Sequence, residues 1–191
     1  MRDAAAQYQL PDPTLRVKGP RAYEREPVKE LRTLTPDELV VLFDHIADGW
    51  HAELYTASVL GCRPGELYAL TWSDVDLERR TITIRRSHYH GTVGTTKTNK
   101  TKVVPIPDRL LEVLRAHRAR QLRDQHPALE TGLVFPMTED GKHFDVEGRL
   151  VEDRGWHRSP SSALGQLKRA SRAADLPIDV TPQVLRRTVN S

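Results

Sequence analysis

The chain has one cysteine, Cys62, in 191 residues. That excludes an intrachain disulfide and any zinc site built from several cysteines. No apolar run approaches the ~20 residues of a membrane-spanning helix. The start, Met1-Arg2-Asp3, lacks the apolar core of a signal peptide, so the expected compartment is the cytoplasm. There is no glycine-rich phosphate loop of the nucleotide-binding types, no internal repeat and no low-complexity tract. Apolar residues make up 38% and charged residues 29%, the balance of a globular protein with a real core.

What the sequence does have is charge in blocks. The net charge is +3, but from Arg79 to Arg123 twelve Lys/Arg stand against only two acids. The residues before this block carry a surplus of six negative charges, and those from Asp124 to Arg158 a surplus of four. The last 33 residues return to a surplus of three positive charges. A basic middle between acidic flanks suits a nucleic-acid face on an otherwise neutral protein. On charge alone, an ordinary solvated surface accounts for it equally well.

Residues 1–33 hold five Pro/Gly and little periodicity, and read as an extended arm or linker. Thr35-Pro36-Asp37-Glu38 forms a capping box, and Leu39, Leu42, Phe43 and Ile46 share one helical face, predicting a helix to about Asp48. A second helix spans about Trp50 to Leu60 and stops at Gly61. A short third starts at Pro64. Thr81 to Arg86 alternates as a strand, 90–94 reads as a turn, and Thr95 to Thr101 as a polar hairpin tip. Lys102 to Ile106 reads as a second strand, with Pro105 marking an edge or an end. Asp108 opens an amphipathic helix carrying Leu110, Leu111, Leu114 and Leu122 inward. Residues 137–158 read as a long polar loop. Ser159-Pro160 and Thr181-Pro182 open two further helices. The expected fold class is α+β: a mostly helical domain over 34–191 with a small antiparallel sheet.

Arg63 falls at a helix-to-helix turn, where backbone N–H groups also favour an anion. Glu66, three residues on, can clamp its guanidinium, although such a spacing is also that of a plain surface pair. Arg186 and Arg187 are neighbours on a helix and point about 100° apart, so at most one faces a site shared with Arg63. Lys97 between threonines reads as a solubilising edge charge unless the hairpin meets a phosphate. His88-Tyr89-His90 offers too few ligands for a metal, and the Arg115, Arg118 and Arg120 group reads as a solvated helix face. Tyr55 and Tyr68 read as packing or hydrogen-bonding residues near the first helices.

Taken in order, Gly61-Cys62-Arg63-Pro64-Gly65-Glu66-Leu67, Trp72-Ser73-Asp74-Val75-Asp76, a strand, Thr96-Lys97-Thr98, Val103-Val104-Pro105-Ile106-Pro107, Val134-Phe135-Pro136 and Thr181-Pro182-Gln183-Val184-Leu185-Arg186-Arg187-Thr188 resemble the catalytic domain of tyrosine recombinases, the phage-integrase family. The resemblance runs from about Leu34 onward. It implies binding of double-stranded DNA, with other recombinase protomers as further partners, and DNA strand exchange through a phosphotyrosyl intermediate, without metal or other cofactor. It implies that Arg63 and Arg186 hold the scissile phosphate, that Lys97 protonates the departing 5′ oxygen, and that Glu66 orients Arg63. Gln183 stands where the family usually has His; it can hydrogen-bond a phosphate but cannot take a proton at neutral pH. The five tyrosines (Tyr8, Tyr23, Tyr55, Tyr68, Tyr89) all precede Arg186, so no nucleophile is assigned and the chain alone is expected not to cleave DNA. The alternatives are a non-catalytic DNA-binding module occupying recombination sites and a decayed mobile-element remnant.

Overall fold

The computed structural model describes residues 32–89, 92–126, 129–136, 142–144, 150–152 and 160–190. Thr33–Ser191 forms one unit, and the arm expected over 1–33 lies outside the described residues except for Arg32 and Thr33.

The first helix, α1 (Pro36–Asp44), starts where the capping box places it. The Thr35 hydroxyl accepts the Glu38 N–H at 3.2 Å, and the Glu38 carboxylate accepts the Thr35 N–H at 2.9 Å. The helix ends four residues before the expected Asp48. Ile46 is still buried, but it turns inward from the loop that follows. Helix α2 (Asp48–Leu60) ends at Gly61, whose left-handed φ of 54° closes the last turn as only glycine does without strain. The five-residue α3 (Pro64–Tyr68) follows at once. Tyr68 is buried in the core and donates its hydroxyl to Glu53 Oε1 at 2.7 Å. Tyr55 packs edge-on against Phe43 and stacks with His51.

A 3-10 turn, Trp72–Asp74, leads into β1 (Val75–Asp76). Next come β2 (Thr81–Ile84), β3 (Arg86–Tyr89), β4 (Thr92–Thr95) and β5 (Lys102–Pro105). Strands β1, β2 and β5 form a three-stranded antiparallel sheet in that order, with β5 and its Pro105 on an edge. Strand β3 pairs with β4 in a ribbon of its own.

The register changes the reading of this region. Ile84 pairs with Lys102 and Arg86 with Thr95. The strands therefore make one long hairpin, with β2 and β3 running out and β4 and β5 returning. At its middle the single residue Arg85 faces the six residues 96–101. Lys97 thus lies on a loop expelled from the returning strand, and not at the far end of the hairpin, where Tyr89 pairs with Thr92. Thr92–Thr95 is strand, although 92–94 was expected in a turn and Thr95 in the hairpin tip: a residue run without apolar alternation is held extended by its pairing with β3.

Helix α4 (Asp108–Arg123) buries Leu110, Leu111 and Leu114 as expected. Leu122 is 56% exposed, however, and Gln121 takes the inward place. Its side chain accepts Trp72 Nε1–H at 2.8 Å and donates to the Val134 carbonyl at 3.0 Å, so a satisfied amide is buried where an apolar residue was expected. Within the polar stretch 137–158, β6 (Lys142–Phe144) and β7 (Leu150–Glu152) pair antiparallel. Helices α5 (Pro160–Ala173) and α6 (Pro182–Asn190) complete the fold. One continuous core joins Leu42, Leu54, Ile82, Leu114, Leu167 and Leu185. Among the described residues, no helix is long and apolar enough to cross a membrane.

Candidate functional site

Two distant parts of the chain meet on one carboxylate. Pro64 starts α3 with its fixed φ, so Arg63 stands at the helix entrance. Glu66, one turn on and buried, accepts the Arg63 backbone N–H on Oε2 at 2.9 Å and Arg63 Nη1–H on Oε1 at 3.0 Å. The backbone contact satisfies an N–H left over at the helix start, and the side-chain contact fixes the guanidinium.

From the other end of the domain, α6 buries Val184 and Leu185 against the core. Helix α6 also packs along α2 closely enough that a Cβ on Gly61 would meet the Asn190 side chain at 3.0 Å. This docking turns the next residue, Arg186, toward α3. Its Nη1 lies 4.0 Å from Glu66 Oε2, an ion-pair distance. The side chains of Arg63 and Arg186 stay 42% and 35% exposed, while that of Glu66 is 9% exposed. The result is a pair of half-exposed guanidinium groups held from below by one carboxylate, with one net positive charge. Arg187 points elsewhere, its Nε–H donating to the Gln183 carbonyl at 3.3 Å, as two adjacent helical residues require.

Cys62 is buried immediately before Arg63. Burial, reinforced by the Glu66 carboxylate, pushes its thiol up to about 12. It therefore stays protonated and is not a nucleophile.

The remaining expected residues stand further out. Lys97 is exposed, on a loop that Thr96 braces: its hydroxyl accepts Lys100 N–H at 3.1 Å and donates to the Lys100 carbonyl at 3.0 Å. Among the described residues no hydrogen bond or ion pair joins Lys97 to either arginine. Gln183 is exposed at the start of α6. The lysine loop is nevertheless tied to the arginine turn through backbone. Gly65 lies so close to β3 that an added Cβ would stand 2.5 Å from the His88 carbonyl oxygen.

One group of residues was not anticipated from the sequence. Asp74, with a side chain 2% exposed, binds both Arg85 and Arg86. Burial alone would raise its pKa. Hydrogen bonds from the Thr71 hydroxyl and N–H, together with Arg86, outweigh burial and hold it below the ordinary aspartate value. The only sequence signal was the adjacency of the two arginines; their partner lies eleven and twelve residues back and is met only after the β1–β2 turn.

The family model described as the phage integrase family matches residues 32–191. A tyrosine recombinase XerC-like protein of Caldanaerobacter subterraneus subsp. tengcongensis is 33% identical over 111 residues, covering 47% of this chain and 28% of that protein. Among solved structures, the Tn1549 transposon integrase in complex with a circular intermediate DNA superposes with a TM-score of 0.63 at 16% identity, over 86% of this chain and 54% of that one. The XerA recombinase superposes with a TM-score of 0.58 at 22% identity, over 85% of this chain and 50% of that one. The chain therefore spans under a third of the curated relative and about half of the two solved chains. At such identities the structural likeness speaks for the fold, which has the same mixture of helices and small antiparallel sheets. The family match covers most of the chain and runs through both arginine-bearing segments, and on it the chain belongs to the phage integrase family of tyrosine recombinases.

Proposed function

We propose that this chain carries the phosphate-binding part of the catalytic domain of a site-specific DNA recombinase, acting on double-stranded DNA in the cytoplasm. The observation that carries the reading is the convergence of Arg63 and Arg186 on Glu66. Two guanidinium groups from opposite ends of the domain, each with outward N–H donors, match the non-bridging oxygens of one phosphodiester. As a pentacoordinate transition state gains charge on those oxygens, donors already in place stabilise it without reorganising.

Glu66 orients the pair and offsets part of its mutual repulsion. Lys97, on its expelled loop, protonates the departing 5′ oxygen, and Gln183 adds a neutral hydrogen bond to the phosphate. The chemistry needs neither a metal nor another cofactor, because a phosphotyrosyl bond conserves the energy of the phosphodiester. All five tyrosines of these 191 residues precede Arg186, so this stretch supplies phosphate binding and leaving-group protonation. None of the five is assigned as the nucleophile. Residues 1–33 serve as the arm leading into the catalytic part over 34–191.

The test is binding to a labelled duplex over a salt series, comparing the chain with its Arg63→Ala/Arg186→Ala variant. Steeply salt-dependent binding that weakens in the variant is the expected result. No binding, or equal binding by both proteins, contradicts the reading.

A further inference from the structure

Among the described residues, most arginine–carboxylate pairs are one-to-one and lie in solvent. Arg80 with Asp108 and Arg109 with Glu112 join side chains that are more than half exposed on both sides. Such pairs contribute little and organise nothing. Asp74, like Glu66, differs in two respects. It is buried and it holds two arginines, which stay partly open to solvent, Arg85 at 48% and Arg86 at 35%.

The contacts are directional. Thr71 donates its N–H and its hydroxyl to Asp74 Oδ2, at 3.1 and 2.8 Å. Arg85 Nε–H donates to Oδ1 at 2.6 Å, and Arg86 Nη2–H donates to Oδ2 and to the Thr71 hydroxyl. Each guanidinium is thus fixed by one nitrogen. Among the described residues, both Nη groups of Arg85 and Nη1 of Arg86 enter no hydrogen bond, and Arg86 Nε is shielded from solvent without a partner. Two positive charges against one negative leave a net positive charge with its donors held in place.

The position of the cluster gives it a use. Arg85 is the single residue that faces the expelled 96–101 loop, and Arg86 pairs directly with Thr95, two residues before Lys97. Arg86 is also two residues from His88, whose carbonyl lies against Gly65 beside Arg63. Two residues of strand span about 7 Å. Phosphates on one DNA strand advance about 3.4 Å each along the helix axis. The cluster is therefore within a few nucleotides of a phosphate gripped by Arg63 and Arg186.

We propose that Arg85 and Arg86, locked by Asp74 at the middle of the long hairpin, form a second DNA-backbone site for a phosphate within a few nucleotides of the scissile one. The inference rests on the DNA-binding reading above. The site positions the duplex beneath the Lys97 loop and carries no base information.

The test uses the whole 191-residue chain and the same duplex salt series. Arg85→Ala leaves Asp74 with Arg86 and Thr71, and Arg85→Gln keeps a short donor for Asp74 while removing the charge, in case the alanine variant does not fold. The expected result is a salt slope lower by about one and several-fold weaker binding, uniform across unrelated sequences. Arg85→Lys, which restores the charge, recovers the slope. If folded Arg85→Ala or Arg85→Gln binds with the parent's slope and affinity while Arg63→Ala/Arg186→Ala is weakened, the second site is wrong and the DNA-binding reading stands. A parent chain that binds no DNA overturns both.

Discussion

Gly65→Ala is expected to destabilise the domain by about 1–3 kcal/mol, with a lower melting temperature and weaker DNA binding. The new Cβ would stand 2.5 Å from the His88 carbonyl oxygen and 2.7 Å from Ser87 Oγ. The serine hydroxyl can rotate away; the carbonyl is backbone and cannot. Alanine is the better helix former by about 1 kcal/mol, which opposes the clash, but a helix of five residues cannot relax away from its own N-cap. The two segments must separate, and Arg63 moves relative to the ribbon that carries Arg86 and leads to Lys97. Gly49→Ala is the control: it lies in α2 with nothing within 4 Å of its added Cβ, so propensity acts alone and the change is neutral to stabilising. Thermal unfolding of the two variants checks both signs, and a Gly65→Ala protein as stable as its parent would refute the close packing of α3 on β3.

Leu185→Ala is expected to cost more, about 2–5 kcal/mol, or roughly 5–15 °C in Tm for a domain of this size. Leu185 is 1% exposed and belongs to the same core cluster as Leu54 and Leu60 of α2. Its removal deletes transfer free energy and leaves a cavity that a packed helix pair fills only in part. The loss falls on the element that delivers Arg186, so weakened DNA binding accompanies the lower Tm. A Tm within a degree or two of the parent would mean that α6 is not seated as described.

Local chemistry made much of this domain legible in the sequence. The Thr35–Glu38 capping box, the glycine closing α2 and the Pro64 start of α3 each depend on residues within one turn, and each is found in place. The Arg63–Glu66 contact is likewise a one-turn spacing. Pairing register is not local. Lys97 sits on an expelled loop because Arg86 pairs with Thr95 while Ile84 pairs with Lys102, a mismatch that no residue type announces. Apolar periodicity put Leu122 inward, but periodicity does not count a buried amide such as Gln121 with donor and acceptor both satisfied. The Asp74 cluster was hidden for a related reason, since a carboxylate and its two arginines were assigned to separate elements and only the turn between β1 and β2 brings them together.

The central claim is that Arg63 and Arg186 act on one phosphate. The most direct test is a double-mutant cycle in duplex binding, with Arg63→Ala, Arg186→Ala and the double variant measured at fixed low salt. Two arms of one clamp are coupled. The account therefore predicts that the double variant loses less than the sum of the single losses, by an interaction energy of about 0.5–3 kcal/mol. Losses that add to within about 0.5 kcal/mol would assign the arginines to separate phosphates and contradict it.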